Sequence, residues 1–131
     1  MKLPSGLKAV ALTALIGLST LFGGPVRAAD ISDAGVVEIV TFNLKDGVTA
    51  EAFAALDRAV EEQHVTKQPG FVARHAAAGE NGTWLVVVYW ENADAADASM
   101  AGFMDAPAAA EFVAGLDADS MAMTRYDLIG H

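Results

Sequence analysis

Residues 83–90, TWLVVVYW, decide the fold of this chain. Every residue after Thr83 is apolar or aromatic, which is typical of a strand that is covered on both faces. Side chains alternate between the two faces of a strand. One face therefore carries Trp84, Val86, Val88 and Trp90, and the other carries Leu85, Val87 and Tyr89. Because both faces are apolar, we expect both to be covered in the folded protein.

Three further segments complete the set of predicted strands. Val36–Leu44 (VVEIVTFNL) is mostly apolar and β-branched, as is typical of a central strand. Phe71–Ala77 (FVARHAA) is predicted as a strand that precedes Thr83–Trp90. The segment Gly79–Gly82 between the two has a composition that favours a hairpin loop. Met121–Ile129 (MAMTRYDLI) is predicted as the last strand, after a loop at Asp117–Asp119.

The first helix is predicted between Thr49 and Lys67. Thr49 is a good N-cap residue, and the helix must end before Pro69, because the residue preceding a proline is pushed out of the helical conformation. Apolar side chains at spacings of three and four predict the face that packs on the sheet: Phe53, Leu56, Ala59 and Val60. The outer face is predicted to carry Asp57, Arg58, Glu61 and Glu62.

The second helical segment is predicted in two pieces. Asn92 is a good N-cap residue, and the first piece is expected to run to about Phe103. Asp105 is predicted to cap the second piece, with Pro107 early in its first turn. The inward-facing side chains are predicted to be Ala96, Met100, Phe103, Phe112, Val113 and Leu116.

The resulting order of elements is β-α-β-β-α-β. This is the ferredoxin-like arrangement of the α+β class, with a four-stranded antiparallel sheet. The helices cover one sheet face and leave the other uncovered in a single chain. A contiguous apolar face of that size is typical of an interface, so we expect a homodimer whose two sheets face each other.

The first 28 residues are predicted to be a secretory signal peptide. Lys2 and Lys8 precede an apolar run at residues 9–22, and Val26 and Ala28 are small side chains that suit a signal peptidase. The alternative is a membrane anchor, but the run is shorter than the ~20 residues that span a bilayer. We expect a flexible leader at residues 29–35, a folded domain at residues 36–131, a periplasmic or secreted location, and no membrane contact after cleavage.

Composition excludes several classes of function. The 131-residue chain has a net charge of −9 and no cysteine. The lack of thiols excludes disulfides, thiolate catalysis and cysteine-ligated metal centres. The acidic balance disfavours nucleic acid as a partner. The dinucleotide, phosphate-loop, serine-hydrolase, zinc-protease and calcium-loop motifs are also missing from the sequence, and no cofactor is predicted.

The methionines raise the question of a metal. Met100 with Met104, and Met121 with Met123, carry soft thioethers of the kind that suit Cu(I). No histidine lies near either pair in sequence, and methionine commonly fills cores. No metal site is therefore predicted.

Aromatic side chains are the first candidates for ligand binding. Trp90, at the end of its strand, could stack on a flat aromatic molecule, or it could fill the core. Phe103 is expected to shape the same pocket. Tyr126, on the last strand, could line the pocket or pack in a barrel between subunits.

Three polar residues are the other candidates. Glu38 lies in an apolar run, where it could bind ligand as a general base or form an ion pair with Arg74 or Arg125. Asn43 could donate a hydrogen bond to a substrate oxygen, or its amide could be satisfied by the backbone. His75 lies among alanines and could transfer a proton, although small neighbours also suit close packing between subunits. Asn43 and His75 are predicted as the catalytic pair.

The pattern as a whole resembles a known family. The match is carried by Phe42, Lys45-Asp46-Gly47, Gln68-Pro69-Gly70-Phe71, the Trp84-to-Trp90 strand with Glu91-Asn92 after it, Phe103, Phe112 and Tyr126. These residues follow the usual course of the dimeric α/β-barrel superfamily, in the branch named for antibiotic biosynthesis monooxygenases. The resemblance covers about residues 36–129. It implies a homodimer and a pocket between sheet and helices in each subunit.

The resemblance also implies a chemistry. Similar proteins oxidise aromatic polyketide or quinol substrates without metal or flavin, because the electron-rich phenolate reduces oxygen itself. Haem-degrading relatives place a Trp and a His on the second helix, and residues 93–116 contain neither. The hypothesis is an exported cofactor-independent monooxygenase for a small aromatic or quinol-like molecule. The alternative is a non-catalytic dimeric protein of the same fold that binds small molecules or serves a stress response.

Overall fold

The computed structural model describes residues 30–130. Its four strands are β1 (Val36–Leu44), β2 (Phe71–Ala78), β3 (Thr83–Trp90) and β4 (Leu116–Asp127). They form one antiparallel sheet in the order β2-β3-β1-β4. The predicted ferredoxin-like α+β fold is confirmed. The signal peptide predicted at residues 1–28 lies outside the described part of the chain.

Helices cover one face of this sheet. They are α1 (Ala50–Gln63), α2 (Ala93–Gly102) and the short α3 (Ala109–Ala114). Single 3₁₀ turns follow α1 at Val65–Lys67 and α2 at Phe103–Asp105. None of the helices within residues 30–130 combines the length and the apolar content that crossing a membrane requires.

Two of the three predicted N-caps are present. The backbone N–H of Ala52 donates to Thr49 Oγ1 at 3.1 Å, at the start of α1. The N–H of Ala95 donates to Asn92 Oδ1 at 2.9 Å, at the start of α2. Each cap satisfies one of the amide donors that a helix leaves unpaired in its first turn, which fixes where both helices begin.

The core lies between the helices and the alternate residues of the sheet. Phe53 of α1 is fully buried and meets three other rings. Its ring centroid lies 5.6 Å from that of Phe42, 5.0 Å from that of Trp84 and 5.0 Å from that of Phe112. Such aromatic contacts add about 0.5–1.5 kcal/mol each to the free energy of burial. They hold α1 and α3 on the centre of the sheet.

The opposite sheet face, here called the open face, carries no helix. It is formed by the residues that alternate with the buried ones, including Val37, Ile39, Leu85, Val87 and Tyr89, all of them half-buried. The prediction that this face is apolar agrees with the structure. A single chain leaves these side chains without a covering layer.

The predicted start of α3 is wrong. Asp105 does not cap it, because this residue belongs to the 3₁₀ turn that continues α2. α3 begins at Ala109, and its preceding residue, Ala108, offers no side-chain cap. Instead the N–H of Ala108 donates to Gln63 Oε1 at 2.9 Å. The end of α1 thus caps α3 from another part of the chain.

The predicted loop at Asp117–Asp119 is also wrong, because β4 already begins at Leu116. Asp117 pairs with Asn43 of β1, and Ala122 pairs with Thr41, so residues 118–121 bulge opposite Phe42. The N–H of Asn43 donates to Ser120 Oγ at 2.8 Å across this bulge. The polar residues therefore belong to an interrupted strand, since a bulge accommodates extra residues without ending the pairing.

Asp57 was predicted on the outer face of α1, and it is buried. The reason is Arg74 of β2, which reaches beneath α1. Its Nη2 and Nη1 donate to Asp57 Oδ1 and Oδ2, both at 2.8 Å. Trp84 Nε1 donates to Oδ1 of the same carboxylate at 3.3 Å. A buried carboxylate is tolerated here because its oxygens are all paired.

Candidate functional site

A cavity of about 360 Å³ lies between the sheet and the second half of the helical layer. This volume lies in the range of small-molecule sites, ~300–1,000 Å³. Most of its walls are apolar. The floor is formed by Glu38, Val40, Phe42, Arg74, Val86, Val88, Trp90, Met121 and Met123, and the roof by Ser99, Met100, Phe103, Met104, Phe112 and Val113.

Strand register places the charged groups of the floor in one row. Arg74 pairs with Val88, Val88 with Glu38, and Glu38 with Arg125. Residues directly opposite each other on neighbouring strands point to the same sheet face. The side chains of Arg74, Glu38 and Arg125 therefore form a row across the helix-covered face of the sheet, with the carboxylate between the two guanidinium groups.

Glu38 is buried and paired with Arg125, one of the two partners that the sequence suggested. Arg125 Nη2 donates to Glu38 Oε2 at 2.9 Å, and Nη1 donates to Asp97 Oδ1 at 2.8 Å. The hydrogen bonds that Arg125 donates to Glu38 and to Asp97 raise the pKa of Arg125 above its ordinary value. The Glu38 carboxylate is thus a fixed negative group at the cavity floor, with Oε2 committed to the ion pair.

Arg74 also lines the cavity, but its charge is already matched. Its side chain is 4% exposed, and besides Asp57 it contacts Glu61 Oε1 at 3.4 Å. Burial by itself lowers the pKa of Arg74, whereas the hydrogen bonds and charges of Asp57 and Glu61 raise it, with a net increase. Arg74 stays a cation, and its partners leave little uncompensated charge for a ligand.

Trp90 supplies an unpaired donor. The residue is 1% exposed and lines the cavity, and its ring meets Phe71 edge-on at a centroid distance of 6.0 Å. Its indole Nε1 is buried without a hydrogen-bond partner among residues 30–130. Buried tryptophan N–H groups usually find an acceptor.

Phe103 forms part of the roof above this floor. It is half-buried, and its ring lies 5.7 Å from Phe112 and 5.7 Å from the imidazole of His64. The structure thus brings three of the predicted binding residues, Glu38, Trp90 and Phe103, to one cavity. Their roles toward a ligand stay predictions.

The other three candidates lie on the opposite side of the sheet. His75 pairs with Val87 and Tyr126 with Val37, so both point to the open face, where Tyr126 is 53% exposed. Asn43 borders a separate hollow of about 480 Å³ at one end of the open face. The sheet separates these residues from the cavity, so any shared role with Trp90 in one pocket does not fit this geometry.

Ser99 is a cavity residue that carries no signal in the sequence pattern. Met100 was predicted to point inward from α2, but it is 48% exposed, while Ser99 is 6% exposed and lines the cavity. Ser99 also contacts the buried His64 at the end of α1, whose Nε2 lies 3.2 Å from Ser99 Oγ. A lone serine among alanines, in the segment ADAADASMAG, is the sole hint that the sequence offers.

Every methionine after Met1 lines the cavity. The four residues, Met100, Met104, Met121 and Met123, are 41–61% exposed and surround its mouth. The interpretation of these methionines as core fillers is therefore wrong. Within residues 30–130 there is no group of three or more His, Cys, Asp and Glu side chains placed to hold a metal ion.

No protein-family model and no curated protein matches the sequence. Solved structures do match. SnoaB, a cofactor-independent oxygenase from Streptomyces nogalater, superposes with a TM-score of 0.60 at 20% identity, over 75% of this chain and 96% of that one. A protein of unknown function from Nitrosomonas europaea, NE2512, gives 0.56 at 16% identity, over 76% of this chain and 94% of its own.

An antibiotic biosynthesis monooxygenase also matches, with a TM-score of 0.55 at 16% identity, over 72% of this chain and 98% of that chain. These neighbours are covered almost completely, while their identities are low. Since a fold hosts many chemistries, the likeness is evidence of fold alone. The chain has the ferredoxin-like fold of the antibiotic-biosynthesis-monooxygenase-like α/β-barrel proteins, as its sequence resemblance predicted.

Proposed function

We propose that this protein is a cofactor-independent monooxygenase that binds a small aromatic or quinol-like molecule in the cavity between sheet and helices. The observations that carry the proposal are the mostly apolar walls of the cavity, which Trp90 lines, and the Nε1–H of the same residue, which has no acceptor among residues 30–130. An aromatic ring satisfies such walls, and an oxygen substituent accepts the hydrogen bond. The fold of SnoaB, a cofactor-independent oxygenase, supports the reaction class.

The proposed reaction converts an activated methylene group of a hydroxylated aromatic substrate into a ketone. The methylene carbon loses two hydrogens and gains one oxygen atom from O₂, and the second oxygen atom leaves with those hydrogens as water. Four electrons pass from carbon to oxygen, so the equation balances without a metal or flavin. What the protein must supply is a dry site and stabilisation of the substrate anion that reacts with oxygen.

Residues of the cavity can fill both roles. Trp90 Nε1–H donates to the substrate oxygen on which negative charge develops, and a donor in a low-dielectric site is worth more than one in water. Glu38 orients the substrate hydroxyl by accepting its hydrogen bond on Oε1, because Oε2 is held by Arg125 at the cavity floor. Phe103 and the other apolar side chains exclude water.

The test is oxygen consumption coupled to product formation, measured with a panel of hydroxylated aromatics that carry an activated methylene. Trp90→Phe keeps the aromatic ring and removes only the N–H, so we expect kcat/KM to fall on the order of 10-fold or more. Glu62→Gln, on the exposed face of α1, is the control and leaves this cavity intact. Absence of any product from the wild-type protein across the panel removes the proposal.

We also propose that two copies pair through the open face. The half-buried Val37, Ile39, Leu85, Val87 and Tyr89 support this, because no layer of the described chain covers them. In such a dimer the predicted catalytic residues, His75 and Asn43, are enclosed between the two sheets rather than in the cavity. Sedimentation of the protein as a stable monomer contradicts the pairing.

Export to the periplasm or the exterior remains part of the proposal. Its support is the charged start, apolar run and small residues of positions 1–28. N-terminal sequencing of protein from the periplasmic fraction tests it, with an expected new terminus near Ala29. A mature protein that keeps Met1 contradicts it.

The second candidate is a non-catalytic binding protein. Its support is that Glu38 and Arg74 are both engaged in ion pairs, which suits a static ligand site as well as a reactive one. Thermal stabilisation by an aromatic ligand, with no product after long incubation in oxygen, favours this alternative.

A further inference from the structure

We propose that the Ser99 hydroxyl is a second hydrogen-bond donor of the cavity, and that it selects ring ligands whose oxygens accept hydrogen bonds. Quinones and phenolates belong to this class, and ring hydrocarbons of the same shape do not. The proposal rests on the proposed function, because it concerns the ligand of the same cavity.

Ser99 is held by a buried histidine. His64 lies at the end of α1 and is buried, and its Nε2 is 2.8 Å from the Ser99 carbonyl oxygen and 3.2 Å from Ser99 Oγ. On its other side, Nδ1 of the same ring is 3.2 Å from Gln68 Nε2. The imidazole therefore joins α1 to α2 directly above the cavity.

These contacts fix the tautomer of His64. A carbonyl oxygen only accepts, so Nε2 of His64 carries a hydrogen and donates it to the Ser99 carbonyl oxygen. Nδ1 then has a free lone pair and accepts from the amide of Gln68. That amide nitrogen also donates to the His64 carbonyl oxygen at 3.2 Å, which sets the orientation of the Gln68 side chain.

The tautomer decides what Ser99 can do. Because Nε2 already carries a hydrogen, His64 cannot take the proton of Ser99, and the pair is not a nucleophile with its base. Ser99 Oγ instead shares the Nε2 hydrogen as an acceptor. Its own O–H forms no hydrogen bond to an acceptor among the described residues and is available to the cavity that Ser99 lines.

Ser99 thus offers its hydroxyl to the cavity, and the proposed function adds the Trp90 indole as the other donor. The carboxylate of the cavity, Glu38, already accepts from Arg125. Unused donors in a buried site favour a ligand that brings acceptors, since an unmatched polar group loses its hydrogen bonds to water on binding. Oxygens at two positions of a flat ring system fit this arrangement.

Two probes of the same ring skeleton test the selection. Binding of 1,4-naphthoquinone and of naphthalene to the full mature protein is measured by equilibrium dialysis. Ser99→Ala is expected to weaken naphthoquinone binding about 5-fold, the effect of one neutral hydrogen bond, and to change naphthalene binding less than 2-fold. Ser99→Thr keeps a hydroxyl and is expected to keep the preference.

Ser32→Ala, in the exposed leader, is the matched control, and thermal unfolding of each variant confirms that it is folded. Equal losses for the two probes, or no loss for either, overturn the role of Ser99 while the cavity remains a binding site. Failure of the wild-type protein to bind either probe overturns the proposed aromatic-binding function and this selection with it.

Discussion

Arg74 and Asp57 form a two-armed ion pair beneath α1, in which both guanidinium nitrogens lie 2.8 Å from a carboxylate oxygen. The pair joins β2 to the first helix, and Trp84 adds a third hydrogen bond from β3. Arg74 at the same time lines the cavity. The position of the first helix and the shape of the cavity floor therefore depend on one contact.

Asp57→Asn is expected to lower the free energy of unfolding by about 3 kcal/mol, because it leaves the buried Arg74 charge unmatched. Urea unfolding followed by circular dichroism measures the change. Glu62→Gln, on the exposed face of α1, is the control and is expected to stay within about 0.5 kcal/mol of wild type. Equal stability of the two variants contradicts the role assigned to the pair.

The raised pKa of Arg74 predicts that its contribution to the free energy of unfolding does not change as the pH is raised. A base whose pKa is higher in the folded state stabilises the fold below its unfolded value, and this stabilisation is lost only as the pH rises through the folded pKa. For arginine that range lies beyond ordinary buffers. Wild-type stability from this group should therefore be constant between about pH 7 and about pH 10.

Arg74→Lys supplies the comparison for this profile. A lysine loses the two-armed geometry, and its ordinary pKa of about 10.4 lies within the accessible range. We expect the variant to be less stable at neutral pH and to lose further stability only above about pH 10.4, as the pH rises through the folded pKa of the lysine. Parallel pH profiles of urea unfolding for the two proteins would show that the charge of this residue does not matter.

The exposed methionines predict a sensitivity of ligand binding to peroxide. Hydrogen peroxide transfers one oxygen atom to each thioether and leaves as water, which makes the cavity mouth polar. We expect Met100, Met104, Met121 and Met123 to be oxidised in the folded protein and the affinity for naphthalene to fall. Peptide mass spectrometry and dialysis measure the two effects. A variant with leucine at all four positions should bind equally before and after treatment.

Pairing of two copies through the open face, as proposed above, predicts that a single charge on this face prevents dimer formation. Val87→Glu places a carboxylate at the centre of that face, where Val87 pairs with Ile39 and His75. We expect the variant to sediment at half the mass of wild type while circular dichroism shows the same fold. Ala98→Glu, on the exposed surface of α2, is the control for added charge. Dimers of both variants contradict pairing through this face.

Most of the fold can be predicted from local patterns. The bounds of β1 and β3 follow from runs of β-branched and aromatic residues, and Thr49 and Asn92 cap the helices as predicted. The errors have another origin. Asp57 points inward because of an arginine 17 residues away in β2, and the start of α3 depends on Gln63 of α1. Such contacts between elements leave no periodic trace in the sequence.

In the candidate site, too, local patterns predict some residues, while contacts between distant elements determine the others. Trp90 and Phe103 were predicted because large aromatic residues are conspicuous, and the pairing of Glu38 with Arg125 was one of two options. The sequence does not connect Ser99 with His64, because 35 residues separate them and their contact depends on how α2 packs against the end of α1. His75, Asn43 and Tyr126 were grouped with the cavity because the sequence does not reveal which sheet face the helices cover.

The bulge in β4 is the part of the sheet where the chain length at the cavity entrance can change without shifting the strand pairing. Residues 118–121 stand opposite a single residue of β1, with paired residues before and after them, and Ala118 and Met121 line the cavity. Insertions or deletions at this point can widen or narrow the opening while both flanking ladders keep their alignment. Variation in ligand size among proteins of this shape can therefore arise here without any redesign of the core.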